Sequence, residues 1–199
     1  MNYPSFYDEI PTITLQDALS EFLGAFEEGI IEFSYLDIVK SAGHSCPTVL
    51  GAYLMTQQAL KRLYNNEIPK RGEIKVAFKE DANEGVAGVI ANVIQHITGA
   101  TQLNGFKGIA GHYDRRHLMS FNANISSMAR FTRRDTNKSV EVMYVPSKVL
   151  PHESMSELMQ KCIAHQATKV EEKRFGELWQ KRVEMISQRV DEVIEVFES

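Results

Sequence analysis

Hydrophobic positions along the chain switch between a helical period and a strand period. Leu15, Leu19, Phe22, Leu23 and Phe26 recur at helical spacing, so a short helix is predicted to open at Thr14-Leu15-Gln16-Asp17 and end near Gly29. The next segment is mixed. Ile30, Ile31, Phe33 and Tyr35 fit a strand, while Leu36-Asp37-Ile38-Val39 fits a first helical turn. Pro47 suits the first position of a helix, where its missing N–H costs nothing. Leu50, Leu54, Ala59, Leu60 and Leu63 then give a helical stripe from Thr48 to Tyr64, stopped by Asn65-Asn66. From Glu73 to Phe78 the pattern alternates, with Ile74, Val76 and Phe78 on one face, which predicts a strand with one buried side.

A second helix is expected from an Asn83 cap to about Ile97. Val86, Val89, Ile90, Val93, Ile94 and Ile97 make it apolar enough to be central. Gly99, Gly105, Gly108 and Gly111 mark a loop. Phe131 to Arg133 and Val140 to Val145 form a hairpin through Asp135-Thr136-Asn137-Lys138. From Glu153 onward the chain reads as helical, with a break near Ala167-Thr168. The long helix carries a stripe running through Phe175, Trp179, Val183, Ile186, Val190, Ile194 and Phe197. Strands and helices do not alternate strictly. The expected class is therefore α+β, a mainly antiparallel sheet packed with helices and a long C-terminal helix. The expected division is a core over residues 1–150 and a helical extension over 151–199, packed on the core or on a partner chain. The long stripe is the basis for expecting a homodimer.

Composition narrows the function classes. A chain of 199 residues should bury roughly 70% of its unfolded surface and needs neither disulfide nor metal to fold. A net charge of −4 gives no reason to expect nucleic acid or an anionic membrane as partner. No apolar run is long enough to span a bilayer. The start, MNYPSFYDEIPTI, lacks the basic and apolar regions of a signal peptide, so a cytoplasmic location is the expectation. The two cysteines, Cys46 and Cys162, cannot form a four-cysteine zinc site and give no disulfide framework.

Chemistry concentrates at Gly43-His44-Ser45-Cys46-Pro47. In an extended backbone, alternate side chains point the same way, so His44 and Cys46 converge as two ligands for a borderline-soft divalent transition metal, zinc first. The helix after Pro47 places its positive end near Cys46 and favours the thiolate. The same residues also fit a catalytic pair, Cys46 as nucleophile and His44 as base. Arg115 and Arg116 would then clamp a small anionic substrate. A plainer reading stays open: Cys46 as a buried apolar residue and His44 as a loop residue. Two ligands do not make a metal site, and His112 and His117, after the glycine-rich loop, are the candidates to complete it. His96, on the apolar helix, reads as a core or interface histidine.

Gly43-His44-Ser45-Cys46-Pro47 with Gly51, and Asn92-Val93-Ile94-Gln95 followed by Thr98-Gly99-Ala100-Thr101, resemble the two motifs of the FmdE family, named for formylmethanofuran dehydrogenase. The similarity runs from about Ile31 to Phe121. It implies an α+β core with a His/Cys cluster that binds metal, an accessory or maturation role beside a redox enzyme, and hence a redox-enzyme partner. Of that cluster, His44 and Cys46 carry over. Where the family pattern has cysteine, aspartate and cysteine, this chain has Val89, Asn92 and Ala100. The cysteine-rich C-terminal zinc finger of some members is replaced by a helical segment.

Overall fold

In the computed structural model, which describes residues 2–198, a five-stranded sheet carries the core and the helices cover it. A small antiparallel pair, β1 (Ile13–Gln16) and β2 (Ile30–Phe33), stands apart. The larger sheet combines β3 (Ile74–Phe78), β4 (Met119–Ser120), β5 (Ala129–Arg133), β6 (Ser139–Tyr144) and β7 (Ile194–Glu198) in the order β4-β3-β5-β6-β7. Only the β3–β4 pairing is parallel, so the expected mainly antiparallel α+β class is what the chain adopts.

Helix α3 (Pro47–Tyr64) is the centre of the packing. It lies against β6 and β7 and meets three further helices, α2 (Tyr35–Ala42), α4 (Ala87–Thr98) and α6 (Lys169–Ser187). Leu50, Tyr53, Leu54, Met55 and Ala59 are all within 1% of full burial. Each large apolar side chain hidden this way contributes roughly 1.5–3 kcal/mol. Gly51 makes the close approach possible, because its bare Cα faces the Tyr144 ring on β6. The ring is held there by its hydroxyl, which donates to the Pro47 carbonyl at 2.7 Å.

Four sequence expectations change. The first predicted helix shrinks to α1 (Ala18–Phe22), because Ile13–Gln16 pairs with β2 as a strand and fully buries Leu15. Asp17 is the switch: its carboxylate accepts from the Leu19 and Ser20 N–H groups and starts the helix there. Asn83 does not cap the second helix. The Asp81 carboxylate accepts from the Asn83 backbone, and the resulting turn delays α4 until Ala87. The short strand β4 lies in a stretch without a strand signal. Finally, the long C-terminal helix ends at Ser187. After the turn α7 (Val190–Val193), Ile194–Glu198 pairs antiparallel with β6, where its β-branched residues satisfy an otherwise open sheet edge. A shorter helix, α5 (Met155–Ile163), packs on α6 through a satellite cluster of Met155, Leu158 and Leu178.

Candidate functional site

The Gly43–Pro47 segment is a helix-to-helix corner. α2 begins with a reciprocal cap, Ser34 and Asp37 each bonding the other's backbone, and ends at Gly43 in the left-handed region (φ 75°). That backbone suits glycine alone at little cost. The chain then runs through His44 and buried Ser45 to Cys46, the cap of α3. The corner is fastened from behind. Trp179 Nε1 and Gln180 Nε2 of α6 donate to the Ser45 carbonyl at 3.0 and 3.2 Å, and the Ser45 hydroxyl bonds Tyr35 at 2.9 Å.

This corner sends His44 and Cys46 to different surroundings. Cys46 packs against the core, and its sulfur accepts the Val49 N–H at 3.4 Å. His44 faces an open cleft of about 590 Å³ between α2 and α4. Its Nδ1 lies 3.0 Å from the Ala42 carbonyl. A carbonyl only accepts, so Nδ1 carries the proton, and in the neutral ring Nε2 holds the free lone pair.

Across the cleft, α4 presents Val89, Asn92, Gln95 and His96. These positions fall at helical spacing, so the second sequence motif and the first face each other. His96 Nδ1 lies 3.4 Å from Ser41 Oγ of α2, and the ring meets Phe33 edge-on at a 5.5 Å centroid distance. Partial burial and then the Arg71 charge lower its pKa below the usual 6.5, with Asp37 opposing. His96 is therefore a cleft residue, where the sequence pattern pointed to core or interface. The signal that would have found it is its position four residues after Asn92, one turn along the same face.

The far end of the cleft is set by Gly99, which closes α4 with φ 72°, and by Arg71. Arg71 donates to the Ile97 and His96 carbonyls at 2.9 and 3.0 Å, countering the negative end of α4. Its Nη1 also pairs with Asp17 at 2.9 Å. Asp17 accepts a second guanidinium, Arg115, at 2.6 Å. Burial pushes the Asp17 pKa up, but the Arg71 hydrogen bond and the Arg115 charge outweigh it and leave the carboxyl lowered. Nothing in the sequence near Arg71 announced it. Only the fold brings residues 17, 71, 99 and 115 together.

The remaining sequence candidates lie elsewhere. Arg115 is buried under Asp17 and is absent from the cleft wall, and Arg116 is clamped to Asp114 through Nε and Nη2 at 3.0 and 2.7 Å. His112 sits in the turn it forms with Ile109, its ring 6.0 Å from that of Tyr113. His117 takes a left-handed backbone, and its N–H bonds the Gln102 carbonyl. Among the described residues, no three His, Cys, Asp or Glu side chains gather in a way that could hold a metal ion. Ala100 is a fully buried methyl, and Val89 and Asn92 bring no anionic donor to the cleft. The donor set of His44, Cys46, His112 and His117 therefore does not fit a self-contained zinc centre, which needs three or four converging ligands.

An α+β chain with two motif-bearing segments facing each other across an open cleft defines the class: a sheet-and-helix scaffold with a ligand-sized groove between helices. The model of the FmdE family, described as FmdE, molybdenum formylmethanofuran dehydrogenase operon, matches residues 42–195. The chain belongs to that family. Among solved structures it is similar to a tungsten formylmethanofuran dehydrogenase FmdE-like protein from Syntrophus aciditrophicus, at 14% identity and a TM-score of 0.44, over 84% of this chain and 72% of that one. No curated protein matches it.

Proposed function

We propose that this FmdE-family chain binds a small polar molecule in the cleft between α2 and α4, with His44 and His96 as the groups that exchange protons with it. The observation that carries this reading is that His44 of the first motif and His96, on the helix that carries the second, line the same cleft. His44 offers a lone pair on Nε2. His96, with its pKa lowered below 6.5, is a neutral base near pH 7. Ser41, Asn92, Gln95 and Thr101 supply neutral donors and acceptors around them. Cys46 acts in this scheme as the cap that holds the corner, so thiol chemistry is not part of it.

A resident divalent metal is left out because the donors on hand are two imidazoles with an arginine beside them and no carboxylate in the wall. Stoichiometric zinc, nickel or iron in the purified protein, lost on His44→Ala, would reverse that choice and restore the accessory or maturation role. The main test is a ligand-detected NMR screen of small polar metabolites against the wild type and the His44→Ala/His96→Ala variant. Compounds that bind the wild type should lose binding in the variant. Hits that survive the double substitution would place the ligand site elsewhere.

A further inference from the structure

We propose that the Arg71 end of the cleft is an oxyanion subsite that takes the carboxylate or phosphate group of a small ligand. The location rests on the cleft proposed as the binding site; the ligand class is the new element.

Charge is the first argument. Arg71 and Arg115 share one carboxylate, Asp17, and both Asp17 oxygens are already engaged, Oδ2 by Arg71 and Oδ1 by Arg115 and two backbone N–H groups. The cluster keeps an excess positive charge. Glu73, whose charge also acts on Arg115, is paired with Arg134 at 3.1 Å. The carbonyls ending α4 offset part of the excess but carry no full charge.

The donors are the second argument. Arg115 is 6% exposed, and its buried Nη1 has no hydrogen-bond partner among the described residues. An unpaired buried donor on a cation is costly, and a nearby anion relieves the unbalanced charge even without touching it. Arg71 reaches the cleft itself. A guanidinium has five N–H bonds. In Arg71, Nε–H goes to Ile97, one Nη2–H to His96 and one Nη1–H to Asp17. One N–H on each terminal nitrogen remains, which suits an oxyanion.

Access is the third. A side chain at Gly99 would start 3.0 Å from Arg115 Nη1 and 3.3 Å from Arg71 Nη1. Glycine, allowed by φ 72°, leaves Arg71 uncovered where it borders the cleft and sets no side chain against the buried Arg115. Among the described residues the cleft wall contains no Asp or Glu, and Arg71 is its one permanent charge. The Arg71 charge disfavours a cationic ligand at this end of the cleft.

The test titrates the wild-type protein with succinate, inorganic phosphate and neutral succinamide at constant ionic strength, following the His44 and His96 ring signals by NMR. At least one anion should shift both histidines at about millimolar concentration, and succinamide should not. Succinate alone acting assigns a carboxylate, and phosphate alone a phosphate. Arg71→Met should weaken the effect at least about tenfold, the loss of a charged hydrogen bond. Should that variant fail to fold, Arg71→Lys, which keeps the charge but loses the planar fork, should weaken it as well. Equal binding of succinamide, no binding of either anion by the ring signals or by calorimetry, or unchanged binding in the Arg71 variant overturns the subsite. The two readings separate cleanly. A neutral compound that shifts the histidines leaves the cleft standing and removes the oxyanion subsite. An anion whose binding is seen by calorimetry and is lost in the Arg71 variant, but which leaves both histidine signals unmoved, keeps the subsite and removes the histidines' role.

Discussion

Replacing Gly51 with alanine tests whether the helix-on-sheet contact fixes the motif corner. A Cβ at this position would sit 2.5 Å from Tyr144 Cζ and 2.6 Å from Cδ1, nearer still to Cε1. Ordinary carbon contacts lie at about 3.5–4.0 Å, so the ring or the helix must give by about 1 Å. Overpacking of this kind costs about 1–3 kcal/mol. The ring can retreat only by stretching its 2.7 Å hydrogen bond to the Pro47 carbonyl, a further loss of about 1 kcal/mol. Against this, alanine gains about 1 kcal/mol of helix propensity over glycine. The net expectation is a destabilisation of about 2 kcal/mol, or about 4–8 °C in Tm for a chain of this size. Urea unfolding should show the midpoint falling with an unchanged slope. Because Pro47 is the first residue of α3 and follows Cys46, the His44 ring signal should move too. Stability equal to or above wild type would refute the reasoning, since propensity alone predicts a gain.

Three further outcomes are expected. Asp17→Asn keeps the α1 cap but strands two guanidiniums; breaking such a pair should cost about 3 kcal/mol in urea unfolding, and a loss below about 1 kcal/mol would contradict the excess positive charge of the cluster. His96 has a folded pKa below the unfolded 6.5, so the unfolded chain takes up the proton first and stability should decline as pH falls from 6.5 through the lowered value; His96→Gln should remove that part of the pH slope, and an unchanged slope would count against it. Glu141 is pushed up by burial but more strongly down by Arg130 and by Ser126 and Ser127, to about 2 from 4.5; its stabilisation is complete above 4.5 and is lost as pH falls toward 2, so Glu141→Gln should flatten acid unfolding in that window.

What was legible in the sequence follows from locality. α3, β3 and the β5–β6 hairpin show themselves because one period, 3.6 or 2, runs unbroken between turn residues, and burial of one face enforces it. The class follows from their order. The errors fall where a nonlocal partner decides. Leu15 fits a helical stripe with Leu19 equally well, and only pairing with β2 assigns it to a strand. Val190, Val193, Ile194 and Phe197 extend the α6 stripe by spacing alone. The open edge of β6, a feature of residues 139–144, draws Ile194–Glu198 out of the helix instead.

The site shows the same division at higher stakes. His44 was legible because Gly43 and Pro47 are local devices that turn the chain and restart a helix, leaving His44 on the corner. The different surroundings of His44 and Cys46 have a local reason as well: Cys46 is itself the cap, its sulfur accepting from the α3 backbone and packing on the core, while His44 lines the cleft. The partners of His44 come from α4 and from the loop before β3. They are reached through the packing of α2 and α4 on α3 rather than along the chain, and sequence spacing to His112 or His117 carries no information about that route. This accounts for an unusual wall, two histidines and an arginine with no acid. Val89, Asn92 and Ala100 bring no anionic donor to the groove, while the Gly43 and Gly99 turns and the packing of α4 on α3 shape it. With no Asp or Glu among the described lining residues, the field of Arg71 favours an anion over a cation at that end of the groove, which is the basis of the proposed subsite.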